Sequence, residues 1–313
     1  MIFETGYNDI KNVVEDDFIY LEKQINDLFV DENPLNQQLL SFLTAPSKRI
    51  RPLLGFLFLR GLFGNLTENQ QKVLLAVELI HNATLIHDDV IDEASKRRSQ
   101  ETLNSKFDNN LAVVAGDFLL SIALEQTLNT KSIEVLEHFT TALKAACVGE
   151  INQYFNKFNI TSIEDYIKKS RDKTALLFQT GILAGLILSA EKDNEELKNA
   201  AIEFAENFGI AFQIRDDLIN ITSSNDLKPS ENDFESGIYT APIIFATQIK
   251  PDFLAKNDFS KLKELMVETK AIEKTKDLMD TYFNKSISAL KILSDSEYKS
   301  AIIELIKLLK SST

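Results

Sequence analysis

Apolar residues return every three or four positions along nearly the whole chain, the spacing at which side chains share one face of an α-helix. In "QKVLLAVELIHNATLIHDDVID" (71–92) the stripe is Val73, Val77, Ile80, Thr84, His87 and Ile91. "NNLAVVAGDFLLSIALEQTL" (109–128) repeats the spacing, with Asn109 or Asn110 as the expected N-cap. No stretch sustains strict alternation, and no NG or DG pair joins β-rich runs, so strands are not expected. Heptads lapse and no repeat recurs, which argues against a coiled coil and a solenoid. The pattern predicts one all-α domain over 1–313, with roughly ten or more helices.

Several helices are apolar around most of their circumference, as central helices of a large bundle are. The most apolar run, "ALLFQTGILAGLILSA" (175–190), is 16 residues long and broken by Gln179 and Thr180. A membrane span takes about 20 apolar residues, so this reads as a buried core helix. From Asn220 to Thr240, "NITSSNDLKPSENDFESGIYT" is polar, holds Pro229 and Gly237, and has no helical period. A gap of that length within a bundle suggests a functional lid. A break near Pro251 to Asp258 leads to an expected C-terminal pair of amphipathic helices.

Charge narrows the partners. The chain holds 34 Lys and Arg against 47 Asp and Glu, a formal charge of −13, which excludes non-specific nucleic-acid binding. An anionic small molecule fits only where a metal ion or a local basic cluster receives it. Cys147 is the lone cysteine, so neither a disulfide framework nor a thiolate metal site is available. The acidic start "MIFETGYNDIKNVVEDD" lacks the basic-then-apolar order of a signal peptide, and a cytoplasmic location is expected.

The chemistry is concentrated in two acidic clusters. Asp88 and Asp92 are four apart and share a helix face, with Asp89 beside them. Such like charges repel and weaken a helix, so a counter-charge is expected. Mg²⁺ suits: it is hard, takes oxygen ligands, and bridges a few carboxylates to phosphates. "FGIAFQIRDDLIN" (208–220) repeats the arrangement with Asp216 and Asp217, and with Asn220 in place of a third aspartate. Both clusters close strongly apolar helices, so two acidic rims can face each other across one apolar cavity. Basic residues complete the set: Lys48, Arg49 and Arg51 in "SKRIRP", just before a helix that Pro52 can start, Arg97 and Arg98 after the first cluster, and Lys173 with Thr174 in "RDKTALLF". His81 lies seven residues before Asp88 on the same helix, about 10 Å away.

These motifs, with "AGDFLL", "GEINQ" at Gly149 to Gln153 and "KPSENDFESGIYTAPIIFA", follow one another in an order that resembles the trans-isoprenyl diphosphate synthases (polyprenyl synthetases) over the whole chain. The resemblance implies the all-α isoprenoid synthase bundle around a central apolar cavity, as a homodimer. It implies a prenyltransferase that joins an allylic diphosphate to isopentenyl diphosphate by ionisation, condensation and elimination. Asp88, Asp89, Asp92, Asp216, Asp217 and Asn220 would hold roughly three Mg²⁺ ions on the allylic diphosphate. Arg97, Lys173 and Lys228 would contact that diphosphate, and Lys48, Arg51, His81 and Arg98 the diphosphate of isopentenyl diphosphate. Thr174 and Gln213 would line the reacting centre. The chemistry needs charge stabilisation on the leaving group and a dry cavity where the alkene meets the allyl cation before water does.

Departures from the family pattern are Pro46 and Ser47 in place of two glycines, Ser99 after the arginine pair, Asn220, and Ile238 after Gly237. Ala83 and Thr84 are small where short-chain members carry a large aromatic, so the resemblance implies a medium or long polyprenyl product, such as a quinone side-chain precursor, rather than farnesyl or geranylgeranyl diphosphate. Phe118, Leu119 and Phe155 are further candidates for the cavity floor. Rival readings are a class I terpene cyclase, which has no second diphosphate to bind, and a modulatory subunit of a heteromeric synthase, which generally loses an acidic motif.

Overall fold

The computed structural model describes residues 2–29, 33–98, 100–222, 234–249 and 259–313, and these are almost entirely helical. The chain begins with α1 (Ile2–Asn12), α2 (Glu15–Asn26), which packs on α3 (Pro34–Thr44) and on α5 (Glu68–Ile91), and α4 (Ile50–Phe63). After the short α6 (Leu103–Lys106) come α7 (Asn109–Asn129), α8 (Ile133–Phe155) and α9 (Ile163–Ser170). A π-helical turn at Arg171–Ala175 joins α9 to α10 (Leu176–Ile187), followed by α11 (Glu195–Thr222), α12 (Ala241–Thr247), α13 (Phe259–Glu268), α14 (Ala271–Ala289) and α15 (Glu297–Ser311).

Helix starts follow side-chain capping. Thr67 and Gln70 form a reciprocal capping box at α5, and Ser162 with Asp165 does the same at α9. The cap of α7 is Asp108, whose Oδ1 accepts from Leu111 N at 2.8 Å; the sequence pointed one or two residues later. Pro52 does not start α4, which begins at Ile50 with Arg49 as N-cap in the left-handed region (φ 43°). Two further differences are informative. A two-residue antiparallel ladder, β1 (Lys96–Arg97) with β2 (Gln100–Glu101), appears where no strand was expected. The expected C-terminal pair is three helices, because Lys270 turns left-handed (φ 55°) between α13 and α14. The expected break at Pro251 to Asp258 lies outside the described residues.

The core is centred on α4, α5, α10 and α11. Nearly every residue of α10 is buried, as expected of the apolar run that contains it. Phe204, Phe208 and Phe212 are four apart on α11 and form an aromatic column, with ring centroids 6.1 Å apart at each step. Phe178 of α10 meets Phe208 at 5.3 Å and Phe212 at 5.8 Å, while Phe283 of α14 meets Phe208 at 5.8 Å. Edge-on and offset rings at these distances add about 0.5–1.5 kcal/mol per pair beyond area burial. The column fixes the rotation of α11, and with it the direction taken by Gln213, Asp216 and Asp217. At the opposite end, the fully buried Asp17 accepts from Arg60 Nε and Gln71 Nε2, both at 2.8 Å, and ties α2 to α4 and α5.

Gly209 lets α11 approach the π-turn. A Cβ built there would stand 2.4 Å from Ala175 Cα, a backbone atom that cannot swing aside. Replacing Gly209 with alanine gains about 1 kcal/mol of helix propensity but must separate two packed backbones, an overpacking cost of about 1–3 kcal/mol. Overpacking should win: Gly209→Ala should lower stability in urea melts and displace the π-turn, whereas an unchanged or raised midpoint would show that the two elements have slack.

Candidate active site

The first acidic rim is the C-terminal turn of α5. Asp88 and Asp89 lie in that turn, and Asp92 is its C-cap, its N–H donating to Asp88 O at 2.8 Å. The chain then reverses through left-handed residues Glu93 (φ 52°) and Arg98 (φ 51°), and the β1–β2 ladder carries Arg97 back over the rim. Arg97 Nε donates to Asp89 Oδ1 at 2.8 Å. Asn104 Nδ2 donates to the carbonyls of Asp89 and Ala94, at 3.2 and 3.1 Å, and holds the turn closed. The sign reversal after the aspartates is thus a hairpin that folds Arg97 onto Asp89, while Arg98 lines the neighbouring basic cavity.

Opposite stands the π-turn. A π-helix inserts an extra residue into the helical register, and such insertions gather at functional sites. Here Lys173 Nζ reaches Glu150 Oε2 on α8 at 2.6 Å, with Asp88 and Asp92 as its other negative neighbours. Its neighbour Thr174 donates to Gln213 Oε1 at 2.7 Å. Gln213 Nε2 in turn donates to Asp217 Oδ1 at 3.0 Å, and Tyr166 OH to Asp217 Oδ2 at 2.6 Å. One five-residue turn therefore lies between the two clusters: Lys173 bonds Glu150 and is attracted by Asp88 and Asp92, while Thr174 reaches Asp217 through Gln213.

Burial raises the carboxyls of Asp88 and Asp92 above their ordinary range; Lys173 pulls them back while Glu150 pushes them up again. Asp89 and Asp216 are raised by burial too, against Arg97 and Arg215 respectively. Burial lifts Asp217 to about 6 despite the hydrogen bond from Tyr166. Burial opposes the Lys173 ammonium, but Asp88 and Glu150 outweigh it and hold it above the usual lysine value.

A cavity of about 340 Å³ opens beside the α11 rim, lined by Lys48, Arg49, Arg51, His81, Arg98 and Asp216 among others. Arg51 lies 5.0 Å over the Phe178 ring, and burial pushes its guanidinium down to about 10. Burial, reinforced by Arg51 and Arg98, holds the His81 imidazole well below its ordinary value, so it is uncharged near neutrality. Arg215 donates to Asp216 Oδ1 at 2.8 Å and is itself anchored on Leu309 O and Ser312 Oγ. A gap of about 40 Å³ continues from Arg51 and His81 to Lys173, walled by Ile80, Thr84, Ala142 and Ala146. On the outer side, a polar cavity of about 400 Å³ holds Gln153, Lys169, Asp172 and Ile238. Gly237 (φ 74°) closes that wall, its carbonyl accepting from Phe158 N at 2.9 Å.

The structure thus pairs Arg97 with Asp89, sets Lys173 among Glu150, Asp88 and Asp92, and links Thr174 through Gln213 to Asp217. Lys48, Arg51, His81, Arg98, Thr174, Gln213 and Asp216 line one cavity. Lys228, Ser99 and most of the expected lid lie outside the described residues; Asn220 to Thr222, expected to begin that lid, instead complete α11. Among the residues expected to set chain length, only Thr84 lines the gap. Ala83 and Leu119 are fully buried in the core, Phe118 is partly exposed beside Phe29, and Phe155 is 75% exposed at the end of α8, too far out to be a cavity floor. Glu150, Tyr166 and Arg215 join the site without having been singled out; each is an ordinary helical residue until its partner is known. Among the described residues no three His, Cys, Asp or Glu side chains converge on a point. The donors are clustered hard carboxylate oxygens, which suit a dication completed by phosphate oxygens and water.

The polyprenyl synthetase family profile matches residues 32–282. A prenyl transferase of Cyanidium caldarium is 33% identical over 306 residues, 93% of this chain and 94% of that protein. Heptaprenyl diphosphate synthase from Staphylococcus aureus superposes with a TM-score of 0.85 at 28% identity, over 95% of this chain and 98% of that one. Polyprenyl synthase from Caulobacter crescentus CB15, complexed with calcium and isoprenyl diphosphate, gives a TM-score of 0.87 at 26% identity, over 97% of each chain. A helical bundle with two acidic rims joined by one π-turn and this extent of likeness place the chain in the polyprenyl synthetase family, the prenyltransferases that build polyprenyl diphosphates.

Proposed function

We propose that the protein ionises an allylic diphosphate at the paired rims and joins it to isopentenyl diphosphate held in the basic cavity, extending a medium or long all-trans chain. The observation that carries this is the π-turn, where Lys173 is drawn by Asp88 and Asp92 and Thr174 is linked through Gln213 to Asp217, with Thr174, Gln213 and Asp216 lining the basic cavity. Asp88, Asp89, Asp92, Asp216 and Asp217 would hold Mg²⁺, roughly three ions by family likeness, with Asn220 offering a neutral oxygen. Bound Mg²⁺ would supply charge to stabilise the departing diphosphate. Arg97, Lys173 and Lys228 would meet the allylic diphosphate, and Lys173 would exchange Glu150 for phosphate oxygens as it binds. Lys48, Arg51 and Arg98 would hold the second diphosphate, with the uncharged His81 donating a neutral hydrogen bond. Thr174 and Gln213 would keep the reacting carbons oriented, and the apolar helices behind them would exclude water.

The gap beside Thr84 supports a path for the growing chain, because it begins at Lys173 and Thr84, Ala142 and Ala146 form part of its wall. The resemblance to heptaprenyl diphosphate synthase favours the same product class. With farnesyl diphosphate, isopentenyl diphosphate and Mg²⁺, the purified protein should yield a product longer than geranylgeranyl diphosphate by mass. Thr84→Phe should shorten that product by at least one isoprene unit; an unaltered mass distribution would show that the chain takes another route.

A homodimer completes the proposal. Helix α7 is apolar and long enough to cross a membrane, yet only 33% of its most apolar window is buried. Its inner face packs on α5, while Val113, Val114 and Leu128 stand exposed beside Ile133 and Ile151 of α8. Asp117 and Glu125 on the same helix favour a second copy over lipid as the cover. Val114→Asp should convert a dimer to a monomer in sedimentation; a wild-type chain that sediments as a monomer would refute the assignment.

The raised carboxylates give a pH signature. The folded value of Asp217, about 6, lies above its ordinary 3.8, so its contribution to stability is full below the ordinary value and is lost as pH rises through about 6. Without metal, Asp217→Asn should therefore melt roughly 2–5 °C above the wild type at pH 7.5. The difference should shrink as pH falls below 6, and a pH-independent difference would contradict the assigned burial.

A further inference from the structure

The basic cavity contains a carboxylate that the proposed reaction does not use. Glu78 lies on α5, four residues before Asn82 and 2% exposed, and lines the cavity with Lys48, Arg51 and Arg98. Its Oε1 accepts from Asn82 Nδ2 at 3.1 Å, but its Oε2 is buried and has no hydrogen-bond partner among the described residues. Across the same space, Arg51 Nε and Arg98 Nη1 are also buried and without partners. Buried guanidinium groups are expensive unless a counter-charge faces them. Asp216, which also lines the cavity, is partly exposed and engaged by Arg215 at 2.8 Å, which leaves Glu78 as the lining carboxylate with a buried oxygen unpaired among the described residues. Burial lowers Arg51 and Arg98, and for both Glu78 is the largest influence in the other direction.

A buried charge of the wrong sign in an anion site has to serve some purpose. An Arg-bound diphosphate is recognised through paired N–H donors whose directions matter as much as their charge. A carboxylate beneath two guanidiniums can take the donors that face inward and leave the outward ones aligned for phosphate oxygens. We infer that Glu78 is a positioning residue that aims Arg51 and Arg98 at the diphosphate of isopentenyl diphosphate. The inference rests on the function proposed above for this cavity.

Two simpler roles predict different results. A bystander charge would repel the diphosphate, so its removal would tighten binding. A purely structural residue would change stability and leave relative affinities alone. The test compares wild type with Glu78→Gln and Glu78→Asp by steady-state kinetics and by calorimetric titration of inorganic pyrophosphate without Mg²⁺, where the aspartate rims repel the probe. Glu78→Gln should raise KM for isopentenyl diphosphate and weaken pyrophosphate binding by about tenfold, while KM for the allylic diphosphate moves less than about twofold. Glu78→Asp, which keeps the charge but withdraws it by one methylene, should fall between. Unchanged or tighter pyrophosphate binding by folded Glu78→Gln, or an equal rise in both KM values, would overturn the inference. Should Gln fail to fold, wild-type affinities in Glu78→Asp would do so. Failure of wild type to incorporate isopentenyl diphosphate would refute the proposed function separately, because the pyrophosphate titration needs no turnover.

Discussion

The bond from Lys173 to Glu150 and the bond from Thr174 to Gln213 leave adjacent residues of one π-turn, and the organisation of the site depends on that pair. Two helices that carry clustered carboxylates repel each other if those clusters are brought together without mediation. The π-turn places a cation against one rim and a hydroxyl against the other, over a backbone packed closely on Gly209. The aromatic column on α11 and the hairpin after α5 then set the outward angle of each rim.

This arrangement buries several ionisable groups together. Asp88, Asp89, Asp92, Asp216 and Asp217 are all raised by burial, and Arg51, Arg98 and His81 are lowered by it. Burial pushes each of these groups toward its uncharged form. Metal and diphosphate bound here would meet these groups with opposite charge, so binding would stabilise the fold. Such a site needs the rest of the bundle to over-determine it, which the buried α4, α5, α10 and α11 do.

Much of this was legible in the sequence, for identifiable reasons. Helix content followed from apolar spacing, and the acidic rims from like charges repeated at helix ends, which ordinary surface design does not favour. The buried character of α10 followed from a run too short for a membrane. What escaped had no local signal. The hairpin turns on left-handed Glu93 and Arg98, where glycine would have advertised the turn. The π-turn has no compositional mark, and the α7 cap moved because the Asp108 carboxylate is available one residue before the asparagines. Glu78, Glu150, Tyr166 and Arg215 become informative only through partners far away in the chain. Phe155 misled because an apolar side chain at a helix end looks buried until the exposed face of α8 is seen.

The central claim is that the two rims act on one diphosphate. A crystal structure with Mg²⁺ and an unreactive allylic diphosphate analogue tests it most directly. The account predicts metal ions contacting Asp88 and Asp92 on one side and Asp216 or Asp217 on the other, all sharing the same diphosphate, with Lys173 turned from Glu150 onto its oxygens. A diphosphate bound at one rim alone, with the other cluster facing solvent and Lys173 still on Glu150, would contradict it.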